Sequence, residues 1–345
     1  MTNLSVAIIA KNNEAILARL LHSLQPLRDA LLVEVVVLDT GSTDRTREVA
    51  IEAGCRVEHY EWQQDFAAAR NTALDACRSP WLMWADTDEV FSEEACRQLA
   101  ALVPALGEVD VVYTSWLWHP TLTIVRERLF RAAAGCRWEG AVHEVVTPPD
   151  WSRVLRRPDI TIEHRQVGTP ARTDRNITIL EAQLEQGNRT PRNLFYYGNE
   201  LRERGRLPEA AEAYREYLQA PSWPPERHQA LLHLAACTGK EQPLHDAIKL
   251  DPSRAEGWVR LAQHYGRAGK WEKAIPCWET ALCCPRPSEG MVSEECYSEA
   301  WLRDCLATAA HKAGRNQRAL RESLLAIRAG SPEAERLRAD LRHYL

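Results

Sequence analysis

The hydrophobic pattern of this chain changes its period between the two halves, and that change constrains the fold more than any other feature. Up to about residue 168, short apolar runs alternate with amphipathic stretches. After about residue 192 the apolar runs stop, and small and large packing residues recur at helical spacing. The first pattern predicts an α/β domain with a mainly parallel, open sheet covered by helices on both faces. The second predicts an all-α domain, and 345 residues are enough for both cores.

Four predicted strands, most of them apolar, and three amphipathic stretches define the expected α/β domain. The predicted strands are Leu4–Ala10, Val33–Leu38, Arg56–Tyr60 and Trp81–Trp84, and the predicted helices are Glu14–Leu24, Asp44–Ala53 and Phe66–Ala76. In open sheets of this kind, ligands bind beyond the carboxyl ends of the strands. The polar residues that follow these strands are therefore the candidate site.

Glycines mark the expected turns between helices in the second half. Gly205 and Gly239 lie 34 residues apart, which is the tetratricopeptide period, whereas the spacings to Gly269 and Gly314 depart from it. Small and aromatic packing residues recur when the units are aligned on these glycines: Gly198, Ala210 and Tyr214, then Ala262, Ala274 and Trp278, then Ala307 and Ala319. This recurrence favours repeats over an irregular helical bundle. We expect an α/β domain over residues 1–168, a linker or connecting helix over 169–190 and a tetratricopeptide-like repeat domain over 191–345.

Two carboxylates separated by one residue, Asp86 and Asp88, follow the fourth predicted strand in the segment W-A-D-T-D-E. At a strand end both side chains can face a hard cation, and their oxygen atoms suit Mn²⁺ or Mg²⁺. Such an ion stabilises the negative charge that a nucleotide diphosphate gains when it leaves a sugar. The alternative is that these acids only complement the dipole of the following helix.

Polar groups at the ends of the other strands belong to the same predicted crevice. Asp39 closes the second strand and can accept hydrogen bonds from a ribose or a base. Lys11, Asn12 and Glu14 follow the first strand and form the other lip. Arg70 lies in the segment D-F-A-A-A-R-N and can face a diphosphate, the alternative being a surface ion pair.

Five ordered segments resemble those of family-2 glycosyltransferases with the GT-A fold: A-K-N-N-E, V-V-L-D-T-G-S-T-D-R-T, D-F-A-A-A-R-N, W-A-D-T-D-E and W-E-G-A-V-H-E. The chain is similar in particular to the branch that carries tetratricopeptide repeats and includes the S-glycosyltransferases of glycocin peptides such as sublancin. The motifs cover about residues 4–168, so the resemblance implies that residues 1–168 form the catalytic domain. Asn13 and Ala67 depart from the family pattern, which often has Glu and Ser there.

The resemblance also implies a donor and its ligands. The donor is a UDP-sugar whose uridine lies by Asp39 and by the lip at residues 11–14. Asp88 is the main metal ligand, and Asp86 holds the metal or the ribose. His164 corresponds to a late histidine that completes the metal shell in many members.

The segment W-E-G-A-V-H-E supplies the candidates for chemistry at the acceptor. Inverting transfer needs a base for the acceptor proton. We assign this role to Glu144, which the resemblance implies to be near the acceptor, with His143 as the alternative. Trp138 and Gly140 offer a ring face and a close backbone approach that suit a sugar, and core packing is the alternative role for Trp138.

Composition argues against several other classes of protein. The formal net charge of −5 gives no electrostatic reason to expect nucleic acid or an anionic membrane as the main partner. The apolar runs are too short to span a bilayer, and the first residues lack the pattern of a signal peptide. Ten scattered cysteines form no C-x-x-C pair, which favours free thiols in a reducing cytosol over a zinc site. We therefore expect a cytoplasmic protein.

The sequence leaves the acceptor open. Stacked helix pairs make a concave surface for extended ligands, which favours a peptide or protein side chain, although the repeats can instead form a homodimer. Arginines near the junction of the two halves suit an anionic acceptor such as a glycan or DNA, or form a solvated face: Arg153, Arg156, Arg157, Arg165, Arg172 and Arg175.

Two other classes of function compete with glycosyl transfer. A nucleotidyltransferase would carry a glycine-rich phosphate loop after the first strand, and A-K-N-N is not one. The non-enzymatic alternative is a repeat scaffold with a relic sugar-nucleotide domain. It is disfavoured because every candidate charged group of the site is present.

Overall fold

The computed structural model describes residues 3–119, 122–165, 174–287 and 293–344. It divides into two compact units, Met1–Asn188 and Arg189–Leu345. The helix Arg175–Glu185, which belongs to the expected linker, falls in the first unit. The linker residues 166–173, and with them Arg172, lie outside the described residues.

The described residues of the N-terminal unit form ten strands and six α-helices. The strands are β1 (Leu4–Ala10), β2 (Val33–Asp39), β3 (Arg56–His59), β4 (Trp81–Ala85), β5 (Glu89–Val90), β6 (Val111–His119), β7 (Leu122–Arg131), β8 (Trp138–Glu139), β9 (Val145–Val146) and β10 (Val154–His164). The helices are α1 (Glu14–Ser23), α2 (Gln25–Ala30), α3 (Thr46–Glu52), α4 (Phe66–Ala76), α5 (Glu93–Leu102) and α6 (Arg175–Glu185).

Eight of these strands form one sheet in the order β3-β2-β1-β4-β7-β6-β10-β5. The strands from β3 to β4 pair in parallel, whereas β7 is antiparallel to both of its neighbours, β4 and β6. β10 runs parallel to β6 and antiparallel to β5, and β8 and β9 form a separate antiparallel pair. The predicted alternation of strands and helices is confirmed for β1 to β4. The sequence patterns did not predict the other half of the sheet, which follows no such alternation.

Two apolar clusters cover the two faces of the sheet, because successive side chains of a strand point in opposite directions. Val6 and Ile8 of β1 join a cluster with α1, α2 and α5, while Ala7 between them joins a second cluster with α4. β4 divides in the same way, with Met83 in the first cluster and Trp84 in the second. This double covering is what the apolar strands predicted for β1 and β4.

The described residues of the C-terminal unit form nine α-helices. They are α7 (Pro191–Glu203), α8 (Leu207–Tyr217), α9 (Pro224–Thr238), α10 (Gln242–Leu250), α11 (Ala255–Arg267), α12 (Trp271–Cys283), α13 (Glu299–Lys312), α14 (Asn316–Arg328) and α15 (Ala334–Asp340). Consecutive helices from α7 to α14 pack as four pairs. The expected helical repeats are therefore present, with residues 288–292 outside the described part.

A glycine lies in the turn inside each of these pairs. Gly205 follows α7 with φ of +74°, and Gly239 follows α9 with φ of +65°. This left-handed conformation ends a helix at little steric cost only when the residue lacks a Cβ. Gly269 and Gly314 occupy the corresponding turns after α11 and α13 with φ of +69° and +75°. The prediction that these glycines mark the turns is confirmed.

The small residues aligned across the repeats pack against large ones. A Cβ on Gly198 of α7 would lie 2.7 Å from Cε1 of Tyr214 on α8. The Tyr214 ring is fully buried, and its hydroxyl donates a hydrogen bond to Oδ1 of Asn199 at 2.6 Å. Ala262 of α11 and Ala274 of α12 occupy equally buried positions in the third pair. The recurrence found in the sequence is thus a recurrence of close helix contacts.

Within the described residues, no helix is long and apolar enough to cross a bilayer. The ten cysteines are all free. Most of them are buried or half-buried, and Cys283 is exposed.

Replacement of Gly198 by Ala is expected to destabilise the repeat unit. The added methyl group meets a ring that cannot move, and such overpacking costs about 1–3 kcal/mol. The higher helix propensity of Ala offsets at most about 1 kcal/mol of this cost. Urea unfolding followed by far-ultraviolet circular dichroism should show a lower midpoint for Gly198→Ala. In a Tyr214→Leu background the penalty should disappear, and an equal loss in both backgrounds would show that the Tyr214 ring is not its cause.

Candidate active site

Asp39 closes β2 beside the end of β1, because the parallel register pairs it with Ala10. Its carboxylate is 1% exposed and accepts hydrogen bonds from the backbone N–H of Ser42 at 3.1 and 3.3 Å. Two cationic or titratable groups lie farther out, Arg47 Nε at 3.8 Å and His59 Nδ1 at 3.9 Å. The strand end therefore holds an oriented acceptor group at the predicted edge of the sheet.

The lip after β1 is bound to the turn after β2. Asn12 adopts a left-handed backbone with φ of +52°, and its Oδ1 accepts a hydrogen bond from the N–H of Thr43 at 2.7 Å. Glu14 Oε2 accepts one from the N–H of Arg45 at 3.1 Å. Lys11 is exposed. The side chains of Asn12 and Glu14 thus shape the lip, and Lys11 is its exposed positive charge.

Asp86 and Asp88 lie in the short turn between β4 and β5, and not on α5. That helix has its own cap, Ser92, whose hydroxyl accepts a hydrogen bond from the N–H of Ala95 at 3.1 Å. Glu93 and Glu94 occupy its first turn and complement its dipole. The helix-dipole alternative therefore does not account for Asp86 and Asp88.

Arg70 links the acids of this turn to residues 138–144, which we call the acceptor segment after their predicted role. Its guanidinium donates to Oδ1 of Asp86 through Nη2 at 2.7 Å and to Oε1 of Glu144 through Nε at 2.5 Å. The carbon Cζ lies 5.0 Å from the ring centroids of both Trp84 and Trp138. The residue is only 9% exposed, so the alternative of a surface ion pair does not hold.

The charge on Asp86 follows from these neighbours. Burial raises the pKa of the Asp86 carboxyl, but the positive charges of Arg70, Arg126 and Arg128 outweigh it. The pKa of Asp86 therefore lies below its usual range. The turn presents an ionised carboxylate at neutral pH despite its burial.

Helix α4 also fixes the acceptor segment through its backbone. Asp65 caps the helix by accepting a hydrogen bond from the N–H of Ala68 at 2.9 Å. The Asn71 side chain forms two hydrogen bonds with the backbone of Trp138, at 2.8 and 3.0 Å. The N–H of Phe66 donates to the carbonyl of Ala141 at 2.9 Å. Sequence reasoning missed the role of Asn71, although it follows Arg70 directly in the same motif.

Trp138 differs from the expectation that it offers its face to a sugar. Its ring is 3% exposed and packs edge-on against Trp84, with centroids 5.4 Å apart, and against Phe130 at 6.0 Å. A ring buried on both sides cannot stack on a ligand, so the geometry favours the packing role. Trp138 forms a wall of the Arg70 site.

The segment between Trp138 and Glu144 contains two left-handed residues. Gly140 has φ of +94° and His143 has φ of +53°. Such a conformation is uncommon for a residue with a side chain, and strain of this kind clusters at functional sites. The chain therefore turns sharply just before Glu144.

His164 ends β10, where the sheet register pairs it with Glu89 of β5. Its Nδ1 lies 3.4 Å from Oδ1 of Asp88, and the N–H of Arg165 donates to the carbonyl of Asp88 at 2.7 Å. The Asp88 carboxylate raises the pKa of His164. Both ring nitrogens are buried and have no hydrogen-bond partner in the described structure. The fold thus brings His164 to Asp88, although they are far apart in the sequence.

The expected trio of metal ligands is only partly assembled. Among the described residues, no three carboxylate, histidine or cysteine side chains converge where they could hold an ion. The physical reason is that Oδ1 of Asp86 is bound by Arg70, whereas Asp88 and His164 lie together. The two unpartnered nitrogens of His164 beside a partly exposed carboxylate fit a divalent ion that takes its remaining ligands from phosphate and water.

A fully buried ion pair lies beneath the turn and was not predicted from the sequence. Arg128 of β7 donates two hydrogen bonds to the carboxylate of Glu89, at 2.8 and 2.9 Å, and one to the carbonyl of Trp84 at 2.9 Å. Glu89 Oε2 in turn accepts the N–H of Asp86 at 3.1 Å. This pair therefore fixes the backbone of the acidic turn.

Arg126, two residues earlier on β7, is a second cation that sequence reasoning missed. It is half-buried, and its Nη2 lies 3.4 Å from the carbonyl oxygen of Glu144. Its Cζ lies 5.1 Å from the ring centroid of Trp84 and 5.4 Å from that of Trp116. The signal in the sequence was two arginines at strand spacing, separated by Glu127 and flanked by apolar residues.

Residues 5–129 match the sequence profile of glycosyl transferase family 2. The N-terminal unit carries a family 2 glycosyltransferase domain. The matched residues include β1 to β4 and the turn with Asp86 and Asp88, so the predicted resemblance and the GT-A-like, mostly parallel sheet are confirmed. The helix pairs of the C-terminal unit form a tetratricopeptide-repeat region, as expected.

Several curated proteins are similar to parts of the chain. A tetratricopeptide-repeat-containing protein of Synechococcus elongatus is 30% identical over 190 residues, which are 49% of this chain and 43% of the relative. The prophage-derived glycosyltransferase SunS of Bacillus subtilis is 27% identical over 117 residues, 32% of this chain and 28% of the relative. The lipopolysaccharide core biosynthesis glycosyltransferase LpsC of Rhizobium meliloti is 33% identical over 110 residues, 31% of this chain and 39% of the relative. The chain spans less than half the length of each.

Solved structures are similar to each of the two regions. The MamA protein is 17% identical with a TM-score of 0.37 and covers 46% of this chain and 83% of its own. Glucosyl-3-phosphoglycerate synthase from Mycobacterium tuberculosis, in complex with Mn²⁺, uridine diphosphate and phosphoglyceric acid, is 26% identical with a TM-score of 0.30. That match covers 33% of this chain and 43% of the synthase chain.

The buried ion pair allows a stability prediction that needs no substrate. Glu89→Leu leaves the Arg128 guanidinium buried without its carboxylate, and breaking such a pair costs about 3–5 kcal/mol. We expect a correspondingly lower free energy of unfolding in urea. The double variant Glu89→Leu with Arg128→Met should recover most of the loss, because no buried charge is left unpaired. A double variant as unstable as the sum of the two single variants would contradict this account.

Proposed function

We propose that the protein is a metal-dependent, inverting glycosyltransferase that moves a hexose from a UDP-sugar to a peptide or protein side chain. The observation that carries the proposal is the acidic turn after β4, with Asp86 bound to buried Arg70 and Asp88 beside His164. The turn lies within a family 2 glycosyltransferase domain and at the carboxyl end of parallel strands, where such sheets bind ligands.

The nucleoside binds between the ends of β1 and β2. Asp39 accepts hydrogen bonds from the uridine, since its carboxylate is fixed at the strand end by the N–H of Ser42. Lys11 approaches the donor from the opposite lip, where its charge suits a phosphate. Asn12 and Glu14 contribute indirectly, by holding the two loops together.

Asp88 and His164 hold Mn²⁺ or Mg²⁺, and Asp86 orients the ribose or adds a ligand. When bound, the ion neutralises charge on the leaving diphosphate. Arg70 holds Asp86 in place and supplies a fixed positive charge next to the leaving diphosphate. These residues need no rearrangement of the backbone, because the Glu89–Arg128 pair and β10 fix the positions of the turn and of His164.

Glu144 is the base that removes the proton from the attacking atom of the acceptor. Its Oε1 is held by Nε of Arg70 at 2.5 Å, which orients the carboxylate so that the other oxygen receives the proton. The acceptor atom bonds to the anomeric carbon from the face opposite the diphosphate, the bond to the diphosphate oxygen breaks, and UDP leaves. His143 remains the alternative base.

The tetratricopeptide-repeat region binds the acceptor. An open pocket of about 560 Å³ lies in this unit between α11, α12, α13 and α15. Two indoles, Trp271 and Trp278, line it together with Arg267 and an ion pair between Arg336 and Asp304. Aromatic and charged groups on a helical repeat suit an extended peptide. The alternative role of the repeats is to form a homodimer. The proposal also includes a cytoplasmic location.

Release of UDP from a panel of UDP-sugars, with and without Mn²⁺, tests the proposal directly. We expect slow, metal-dependent hydrolysis of at least one UDP-hexose, and faster release when a suitable peptide is added. A scaffold with a relic domain would release no UDP from any donor.

Asp88→Asn should weaken metal-dependent nucleotide binding. The amide is a weaker ligand than the carboxylate for a divalent cation, so UDP affinity in the presence of Mn²⁺ should fall by at least about tenfold. Isothermal titration calorimetry of UDP with and without Mn²⁺ measures this. Asp75→Asn is the matched control, because Asp75 lies exposed on α4 and pairs with exposed Arg137. Equal Mn²⁺-assisted UDP binding by Asp88→Asn and the wild type would rule out the assigned metal site.

Glu144→Gln should reduce turnover and leave donor binding almost unchanged. A general base contributes about 10²–10⁴-fold, and the amide oxygen can still accept from Arg70. Steady-state hydrolysis of the UDP-sugar, in which water is the acceptor, gives kcat without knowledge of the natural acceptor. His143→Gln is the parallel variant. Should His143→Gln lose turnover while Glu144→Gln keeps it, the two roles are reversed.

A further inference from the structure

His164 lacks the support that metal-binding histidines normally have. The second ring nitrogen of such a histidine usually donates a hydrogen bond to a carboxylate or a carbonyl, and this bond fixes the orientation of the ring. In the described structure neither nitrogen of His164 has a hydrogen-bond partner, although both are buried. Nδ1 lies 3.4 Å from Oδ1 of Asp88. Apart from this ion pair, the orientation of the ring therefore depends on packing.

Two indoles supply that packing. Trp118 lies parallel to the imidazole, with an interplanar angle of 9° and ring centroids 4.3 Å apart. Trp116 meets the imidazole edge-on, with centroids 5.3 Å apart and an angle of 67°. Trp116 is itself buried, and Arg126 lies over its ring. The imidazole is thus held on a face by one indole and at an edge by the other.

The register of the sheet makes the stack a property of the fold. β6 and β10 run parallel, and Leu117 pairs with Glu163. The next residues along the two strands are Trp118 and His164, which consequently lie side by side. Stacked aromatic pairs contribute about 0.5–1.5 kcal/mol beyond the area that they bury, which is enough to select one ring orientation. Trp118 is nevertheless 44% exposed, so burial alone does not explain an indole at this position.

We infer that Trp118 is a positioning residue for the metal ligand His164. Its indole face replaces the missing hydrogen-bond partner and keeps the imidazole plane fixed, with Nδ1 directed to Asp88. The inference rests on the proposed function, because it takes Asp88 and His164 as the protein ligands of the divalent ion.

Manganese binding by the full chain tests the inference without any turnover. Electron paramagnetic resonance measures free Mn²⁺ during a titration in the presence of UDP. Trp118→Ala should weaken Mn²⁺ binding by about tenfold, the lower end of the effect of removing an outer-shell partner. Trp118→Phe keeps an aromatic face, and its affinity for Mn²⁺ should stay within about threefold of the wild-type affinity. Trp151→Ala is the matched control, since Trp151 is 58% exposed and its ring lies tilted against Tyr113, with centroids 6.2 Å apart.

Metal-free protein gives a second, independent readout. The indole ring current should shift the C–H proton resonances of the His164 ring upfield, and these resonances are assigned by their absence in His164→Gln. Trp118→Ala should remove the shift and Trp118→Phe should keep most of it. Should Trp118→Ala fail to fold, Trp118→Leu retains apolar contact without an aromatic face and is expected to behave as described for Ala.

The outcomes separate this inference from the function on which it rests. Wild-type protein that binds no Mn²⁺ in the presence of UDP would overturn both. A second outcome is that the wild type binds Mn²⁺, that His164→Gln weakens this binding, and that the Trp118 variants without an aromatic ring bind Mn²⁺ normally. In that case the proposed metal site stands and the positioning role of Trp118 is wrong. Weaker binding by these variants, with recovery in Trp118→Phe, supports the inference.

Discussion

The buried guanidinium of Arg70 holds the catalytic region together. Removing a cation from water is costly unless it is paired, and Arg70 has two carboxylate partners and two indole faces. Each cation–π contact contributes about 0.5–2 kcal/mol, with the larger values for desolvated groups. These partners come from β4 and the turn after it and from the segment that begins at β8, so the buried side chain of Arg70 joins the acidic turn to that segment.

The mixed sheet explains why the cations lie beneath the acids. β7 runs antiparallel to β4, so it carries Arg126 and Arg128 back beneath the end of β4, where the acidic turn begins. Arg128 neutralises Glu89 and Arg126 reaches the backbone of Glu144, whereas Asp86 and Asp88 remain partly exposed. β10 runs parallel to β6 and pairs at its end with β5, and this second pairing brings His164 to Asp88. The strands that follow β4 in the sheet thus set both the charges beneath the acidic turn and the position of His164.

Local patterns in the sequence predicted the parts of the fold that are local. β1, β2 and β4 are mostly apolar runs, and the glycines at 205 and 239 mark turns that need a left-handed residue. β10 was missed because it carries Arg156, Arg157 and Asp159 among its apolar residues, which obscures any period. The Glu89–Arg128 pair joins residues 39 apart, and no local pattern reveals such a contact. Trp138 was assigned a sugar-binding face because sequence does not distinguish a buried indole from an open one.

The central claim is that Asp88 and His164 together bind a divalent ion beside the nucleotide diphosphate. Diffraction data collected at the manganese absorption edge, from crystals grown with UDP and Mn²⁺, test it most directly. The account predicts one anomalous peak within bonding distance of a carboxylate oxygen of Asp88 and a ring nitrogen of His164, next to the phosphates of UDP. Bound UDP with no manganese at these two side chains, or with the ion held elsewhere, would contradict it.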